Sequence, residues 1–249
     1  SALFTAHALV QIFAESLAAR DLDALKLSSS KDFNDRVWKR TQVGLLHELP
    51  LSDIEDAPPK VQSTVFAGPT TEVTVTQGSR ALTYVLQDRQ GAMFVDDILM
   101  PAIGRPGSLK TTLELMLPVL NFANGARLEQ LDLLQRCSSR DFNRLVWHQT
   151  PKIPSVGVDI VPHLRAPLVS IEQTEDRATI VLGDDKFGAH ITLARESGQH
   201  VVDELLLVSG TMPRDRVELK RSLRMHIATY GIGKQAREES TSAVTRPAP

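Results

Sequence analysis

Two pairs of neighbouring carboxylates are the residues of this sequence with the clearest chemical potential. Asp96-Asp97 and Asp203-Glu204 each stand inside an apolar run that is typical of a β-strand. Adjacent residues of a strand point to opposite faces, so one carboxylate of each pair is expected on the concave side of the sheet. Burial among apolar side chains would raise the pKa of such a carboxylate and suit it to act as a general base. Carboxylates that are solvated or paired with arginine are more common, and we expect that arrangement here.

Histidines offer the second possible chemistry. None of the seven has the spacing that would place two metal ligands on one helix face; they stand at positions 7, 47, 148, 163, 190, 200 and 226. His190 and His200 lie on neighbouring predicted strands, from which they could approach Asp203. These three residues are therefore the candidate catalytic residues. The first-half counterparts of the two histidines are expected to be apolar, namely Leu82 or nearby Ala81 for His190 and Met93 for His200.

Nothing in the sequence predicts a cofactor or a metal. Gly104 to Lys110 precedes a helix, but its spacing is not that of a phosphate-binding loop. The single cysteine, Cys137, can form neither an intramolecular disulfide nor a zinc site by itself. We expect no cofactor and no metal ion.

The elements that would position these residues occur twice in the chain. Leu22 to Thr41 matches Leu131 to Thr150 at a constant offset of 109, with 11 of 20 positions identical. Both tryptophans fall in this match, within the phrase Asp-Phe-Asn-x-x-Val-Trp, whose aromatic residues favour a structural role. A slightly shorter offset pairs Phe94 to Leu99 with Val201 to Leu206. The repeat therefore covers nearly the whole chain.

Each repeat begins with helices and continues with strands. Amphipathic periodicity predicts the helices, and Pro-rich connections end them. Alternating apolar runs between turn residues predict an antiparallel meander in each repeat. The predicted strands are residues 61–66, 72–76, 81–87 and 92–100, then 168–173, 178–182, 189–195 and 200–209. Helices followed by strands indicate an α+β fold.

This pattern gives four segments. Residues 1–105 and 106–212 are the two repeats, which we expect to be related by a pseudo-twofold axis. Residues 213–233 form a C-terminal helix, with Arg214 to Tyr230 helical, and 234–249 form a small, polar, Pro-ended tail that we expect to be disordered.

The layout resembles the nuclear transport factor 2-like (SnoaL-like) proteins. The resemblance lies in a helix ending in Ala-Ala-Arg-Asp-Leu-Asp-Ala-Leu at 18–25 and in a sheet that closes on Phe94-Val95-Asp96-Asp97-Ile98. It implies a tandem pair of cystatin-like α+β cones, each with a pocket on the concave face of its sheet. It also permits proton-transfer chemistry in one cone.

The composition of the chain disfavours some classes of binding partner. The 28 Lys and Arg against 30 Asp and Glu give a formal net charge of -2, which does not favour nucleic acid. No stretch of about 18 apolar residues occurs, so no membrane span is predicted. We expect an unknown small molecule or protein as partner, and either a monomer with pseudo-dimeric halves or a homodimer. The sequence does not indicate a cellular location.

Two functions remain open from the sequence. The first is a non-catalytic tandem module for binding or assembly, belonging to a longer protein, which the repetition of packing residues favours. The second is a small-molecule lyase or isomerase that uses a His/Asp pair in one cone. Fold resemblance alone does not decide between them.

Overall fold

The computed structural model describes residues 1–154 and 159–231. Short and long α-helices precede each group of strands, and one more helix follows the last. The α-helices are α1 (Ala2–Ala18), α2 (Leu22–Ser28), α3 (Lys31–Arg36), α4 (Leu109–Arg127), α5 (Leu131–Cys137), α6 (Arg140–Leu145), α7 (Ile160–Leu164) and α8 (Leu219–His226). Short 3₁₀ turns, Trp38–Arg40 and Trp147–Gln149, follow α3 and α6.

The strands form two separate antiparallel sheets, as the sequence predicts. A four-stranded sheet has the order β1-β2-β3-β4, and a five-stranded sheet has the order β5-β6-β7-β8-β9. The strands are β1 (Lys60–Ala67), β2 (Thr70–Gln77), β3 (Arg80–Arg89), β4 (Ala92–Leu99), β5 (Leu168–Gln173), β6 (Arg177–Gly183), β7 (Gly188–Glu196), β8 (Gln199–Val208) and β9 (Arg216–Glu218). The α+β class predicted from the sequence is confirmed at this level.

Local chemistry explains why the elements begin and turn where they do. The Ser30 hydroxyl accepts a hydrogen bond from the Phe33 N–H at 3.0 Å and so caps α3. The Ser139 hydroxyl does the same for α6 through the Phe142 N–H, also at 3.0 Å. The β3–β4 and β7–β8 hairpins each turn through a residue with positive φ followed by glycine, at Gln90-Gly91 and Ser197-Gly198.

Helix α4 takes part in both halves of the chain. Contacts divide the chain into one unit of Ser1–Leu120 with Ser170–Glu172 and a second of Asn121–Val169 with Gln173–Pro249. In the first unit, Leu109, Leu113, Leu117 and Leu120 of α4 belong to the hydrophobic core. The division therefore falls inside α4, whereas the sequence placed the end of the first repeat at residue 105, in the loop before the helix.

Three aromatic side chains form the centre of each half. Phe33 lies 5.0 Å from Trp38 and 6.0 Å from Phe13, measured between ring centroids. The second half has the same trio, because Phe142 lies 5.1 Å from Trp147 and 5.8 Å from Phe122. All six rings are fully buried. The repeated Asp-Phe-Asn-x-x-Val-Trp phrase thus serves packing.

The C-terminal region differs from the sequence-based prediction. Residues 214–230 were expected to form one helix, but Arg216–Glu218 form β9, which pairs with β8 through Leu206 and Glu218, and α8 begins at Leu219. Residues 216–218 are drawn into strand pairing because the outer side of β8 offers backbone partners. The predicted disordered tail lies outside the described residues. No helix within the described residues has the length and apolarity to cross a membrane.

Candidate functional site

A buried lysine joins two carboxylates and a serine in the first repeat. The Lys110 Nζ donates to Asp32 Oδ2 at 2.7 Å and to Asp96 Oδ2 at 3.2 Å. The Ser30 hydroxyl, which caps α3, donates to Asp96 Oδ1 at 2.6 Å. We call these four residues the first lysine cluster. It connects α3, the middle of β4 and the first turn of α4.

The second repeat builds the same arrangement from corresponding residues. The Lys220 Nζ donates to Asp141 Oδ2 at 3.0 Å and to Asp203 Oδ1 at 3.3 Å. The Ser139 hydroxyl donates to Asp203 Oδ1 at 2.7 Å. We call these residues the second lysine cluster. It connects α6, β8 and the first turn of α8. In the second repeat, α8 is therefore attached to its sheet in the same way as the start of α4 is attached to the first sheet.

A β-bulge places the strand carboxylate of each cluster. In the first sheet, Val85 pairs with Asp97 and Leu86 with Val95, which leaves Asp96 as the extra residue of β4. In the second sheet, Thr192 pairs with Glu204 and Leu193 with Val202, which leaves Asp203 as the extra residue of β8. A bulge re-aims the side chain of its extra residue. It allows adjacent carboxylates of one strand to serve different partners.

The second carboxylate of each pair holds the start of the closing helix. Asp97 Oδ1 accepts the Lys110 backbone N–H at 3.0 Å, and Glu204 Oε1 accepts the Lys220 backbone N–H at 2.8 Å. These N–H groups belong to the first helical turn, which has no acceptor within the helix. A negative charge at a helix N-terminus is also favourable. Both carboxylates of each pair therefore fix α4 or α8 to its sheet.

The charged groups of the two lysine clusters shift one another's pKa values in favour of the charged forms. Burial disfavours the charged form of Lys220, but Asp141 and Asp203 outweigh burial and raise its pKa. Burial acts against the Asp32 carboxylate, yet Lys110 and Arg36 hold its pKa below the ordinary value. Glu204 is the exception, because desolvation raises its pKa despite the two backbone N–H groups that it accepts.

Three further hydrogen bonds, one from a tryptophan and two from an asparagine, recur in both repeats. The Trp38 indole N–H donates to the Ser29 hydroxyl at 2.8 Å, and the Trp147 indole N–H donates to the Ser138 hydroxyl at 2.9 Å. Asn34 donates from Nδ2 to the carbonyl oxygens of Lys26 and Ser29, at 2.9 and 3.1 Å. Asn143 bridges the equivalent carbonyl oxygens in the second repeat. These side chains staple the short helices together.

The structure does not bring the two candidate histidines together. His200 pairs with Arg195 of β7, five residues from His190 on the same strand. An odd separation along a regular strand puts the two positions on opposite faces of the sheet, roughly 17 Å apart at 3.3 Å per residue. Asp203 lies in the second lysine cluster. The register also makes Thr83 the counterpart of His190, so the expectation of an apolar residue there is wrong.

An open groove lies where α8 meets β9. It has a volume of about 540 Å³ and is lined mainly by Arg216, Glu218, Arg221, Ser222 and Met225. The groove carries charges of both signs beside an exposed methionine. Within the described residues, no group of three or more His, Cys, Asp or Glu side chains is arranged to hold a metal ion.

Sequence reasoning found the strand carboxylates but missed their lysine partners. Asp32 and Asp141 stand in the repeated Asp-Phe-Asn-x-x-Val-Trp phrase, whereas neither lysine belongs to a repeated phrase of this kind. Each lysine follows the carboxylate-bearing strand of its repeat and is the second residue of a helix. That shared position was the available signal. The expected partner of the carboxylates was arginine, and the principal one is lysine.

In comparisons with known proteins, no protein-family model, no curated protein and no solved structure matches the chain.

Proposed function

We propose that this chain is a tandem module for binding or assembly that carries no reaction of its own, with each repeat a cone of the nuclear transport factor 2-like, cystatin-like type. One observation carries the proposal: the bulged aspartate of each repeat is held by donors of its own repeat. Ser30 and Lys110 donate to Asp96, and Ser139 and Lys220 donate to Asp203.

The chemical requirements of a proton-transfer site argue in the same direction. A general base must reach a substrate proton and have a pKa suited to the exchange. Asp203 is surrounded by donors instead, with the Ser139 hydroxyl at 2.7 Å and the Lys220 ammonium at 3.3 Å. Both donors bind Asp203 Oδ1, so this oxygen is already engaged and is not free to accept a substrate proton. Its environment resembles that of Asp96 in the first repeat, and a structural role accounts for both.

A turnover assay with a matched variant tests the proposal. The purified chain and a His190→Ala/His200→Ala variant are incubated with a mixed extract of cellular metabolites, and the metabolite levels are followed by mass spectrometry. We expect no metabolite to be consumed beyond the molar amount of protein by either chain. Circular dichroism checks first that the variant is folded, because both histidines are half-buried residues of β-strands.

Repeated turnover of one metabolite by the wild-type chain, lost in the histidine variant, would overturn the proposal. It would restore the lyase or isomerase hypothesis. The same assay with Asp203→Asn would then show whether the carboxylate takes part.

A further inference from the structure

The first repeat ends its sheet in an exposed edge strand. β1 is the outer strand of the four-stranded sheet. Seven of its eight residues are exposed, and Thr64 is half-buried. An edge strand presents backbone N–H and C=O groups to its surroundings and can template pairing with another strand.

Strand β1 carries apolar side chains on both of its faces. Phe66 pairs with the buried Thr71, so it lies on the face that the helices cover, and it is 49% exposed. Val65 pairs with the exposed Glu72, so it lies on the opposite face, and it is 56% exposed. Apolar residues on both faces are typical of strands whose two faces are covered rather than solvated.

The corresponding strand of the second repeat can be matched residue by residue. Ala67 pairs with Thr70 across a two-residue turn at the end of β1. The Thr174 N–H donates to the Arg177 carbonyl at 2.8 Å across an equivalent turn at the end of β5. Counting back from each turn places the residues of β1 and β5 in correspondence.

At the matched positions the second repeat is polar. Val65 corresponds to Glu172, and Phe66 corresponds to Gln173, both of which are exposed. Charged and polar residues on an edge strand are a common protection against pairing with another chain. The second repeat has this protection at these two positions, and the first repeat has apolar residues there.

We propose that β1 pairs with β1 of a second copy of this chain, antiparallel, so that two four-stranded sheets join about a twofold axis. This inference rests on the proposed assembly function and names its partner. Such an interface is self-complementary, since each residue contact occurs twice. It is a form of strand addition to a sheet edge.

The composition of β1 favours a second copy over a charged partner. Residues 61–67 read Val-Gln-Ser-Thr-Val-Phe-Ala and contain no charge, so antiparallel pairing of this stretch with itself sets no like charges opposite each other. Lys60 stands at the end of the strand. The strand is also held in place, because His7 Nε2 of α1 lies 2.8 Å from Thr64 Oγ1. Leu3, one turn earlier on α1, adds exposed apolar surface.

Sedimentation of the whole chain and two variants tests the inference. Val65→Glu/Phe66→Gln installs the residues of the second repeat on β1, while Ile103→Glu places one negative charge on a fully exposed loop residue as a control. We expect the wild-type chain to pass from monomer to dimer between about 1 and 100 µM. The β1 variant should dimerise at least about 100-fold more weakly, because each lost contact counts twice. Ile103→Glu should dimerise as the wild type does.

Amide hydrogen exchange locates the interface. The amides of residues 61–67 should become more protected as the wild-type concentration rises, and they should not do so in the β1 variant. A chain that stays monomeric over this range overturns the inference even if it captures an extended peptide. So does a dimer that the β1 variant leaves unchanged, or one that forms without protection of β1. These outcomes are independent of the turnover assay, so failure of this inference and failure of the proposed function are distinguishable.

Discussion

The two repeats are alike in their interiors and different at their edges. Ser30 and Asp96 meet Lys110 in the first repeat as Ser139 and Asp203 meet Lys220 in the second, with bond lengths of 2.6 and 3.2 Å against 2.7 and 3.3 Å. The edge strands, in contrast, differ at two matched positions, where β1 carries Val65 and Phe66 and β5 carries Glu172 and Gln173. Buried polar groups must be satisfied together, so they change with difficulty, whereas an exposed edge can change without cost to the core.

The closing helices sharpen this contrast. α4 is held to the first repeat by Lys110 and also by Arg36, whose Nε donates to Glu114 Oε2 at 2.7 Å. The positions that correspond to this pair in the second repeat are Leu145 and Arg224, which cannot form it. Lys110 is also the more buried lysine, with 8% of its side chain exposed against 15% for Lys220. The first lysine cluster should therefore contribute more to the free energy of unfolding than the second.

The largest predicted effect comes from the residues that the repeats share most closely. Trp38→Ala and Trp147→Ala each remove a fully buried indole and leave a cavity, so each should lower the free energy of unfolding by about 3–5 kcal/mol. Denaturant unfolding followed by circular dichroism measures this. Comparable losses support equivalent cores, and a loss confined to one variant would show that the two aromatic trios are not equivalent.

The lysine clusters come next, with an expected difference between repeats. Lys110→Met should lower the free energy of unfolding by about 2–3 kcal/mol, because it removes the lysine cation from Asp96 and one of the two cations that pair with Asp32. Lys220→Met should lower it by about 1–2 kcal/mol. Lys31→Met serves as the control, since Lys31 and Asp35 pair at the surface, and it should behave as the wild type. Equal free energies of unfolding for all three variants would show that the lysine clusters have no structural role.

Cys137 reports on the second repeat alone. Burial raises the pKa of its thiol to about 12, so the folded chain should react slowly with thiol reagents. Lys220→Met should accelerate this labelling by loosening α8, and Lys110→Met should accelerate it less. The opposite order would mean that the clusters do not act within their own repeats.

The hydrogen bonds to the tryptophans should have smaller and equal effects. Ser29→Ala and Ser138→Ala each leave a buried indole N–H without its acceptor, which costs about 1–2 kcal/mol. Thermal melting of the two variants, compared at equal concentration, checks this. Trp38→Phe can be added to Ser29→Ala, and Trp147→Phe to Ser138→Ala, so that the indole N–H is removed together with its acceptor. The loss of this hydrogen bond should then cause no additional destabilisation.

The smallest predicted effect concerns how the stability of the chain depends on pH in the acid range. Lys110 and Arg36 lower the pKa of Asp32 in the folded state, so its contribution is present above the ordinary value of 3.8 and is lost as pH falls below it. Asp32→Asn and Asp141→Asn should each flatten the fall in stability below pH 3.8, because the cationic partners of each carboxylate lower its pKa in the folded state. Since both carboxylates are largely exposed, we expect only a few tenths of a kcal/mol. Unfolding midpoints measured between pH 5 and about 2 test this.

Periodicity and turn residues were enough to predict the strands. The predicted segment 168–173 coincides with β5, and the turns at Arg89-Gln90-Gly91 and Glu196-Ser197-Gly198 fall at the observed hairpins. Turn chemistry is local, so the sequence carries it. The conversion of residues 216–218 into a strand depends on β8, which is distant in sequence, and helix periodicity could not reveal it.

The lysine clusters were beyond sequence reasoning for a related reason. Asp96 and Asp203 were singled out, but their direction is set by a bulge, and a bulge is a matter of register between two strands. Lys110 and Lys220 reach them from a helix that follows the sheet. The alternation of residues along a strand therefore identified the right carboxylates, but it could not identify the lysine that pairs with each of them.

Matched double-mutant cycles test most directly whether the recurring polar residues act as structural clusters. One cycle combines Asp96→Asn with Lys110→Met, and the other combines Asp203→Asn with Lys220→Met, each measured by denaturant unfolding. We predict a coupling energy of at least about 1 kcal/mol in both cycles, larger in the first. Coupling indistinguishable from zero in both would contradict this account and reopen a chemical role for the carboxylates.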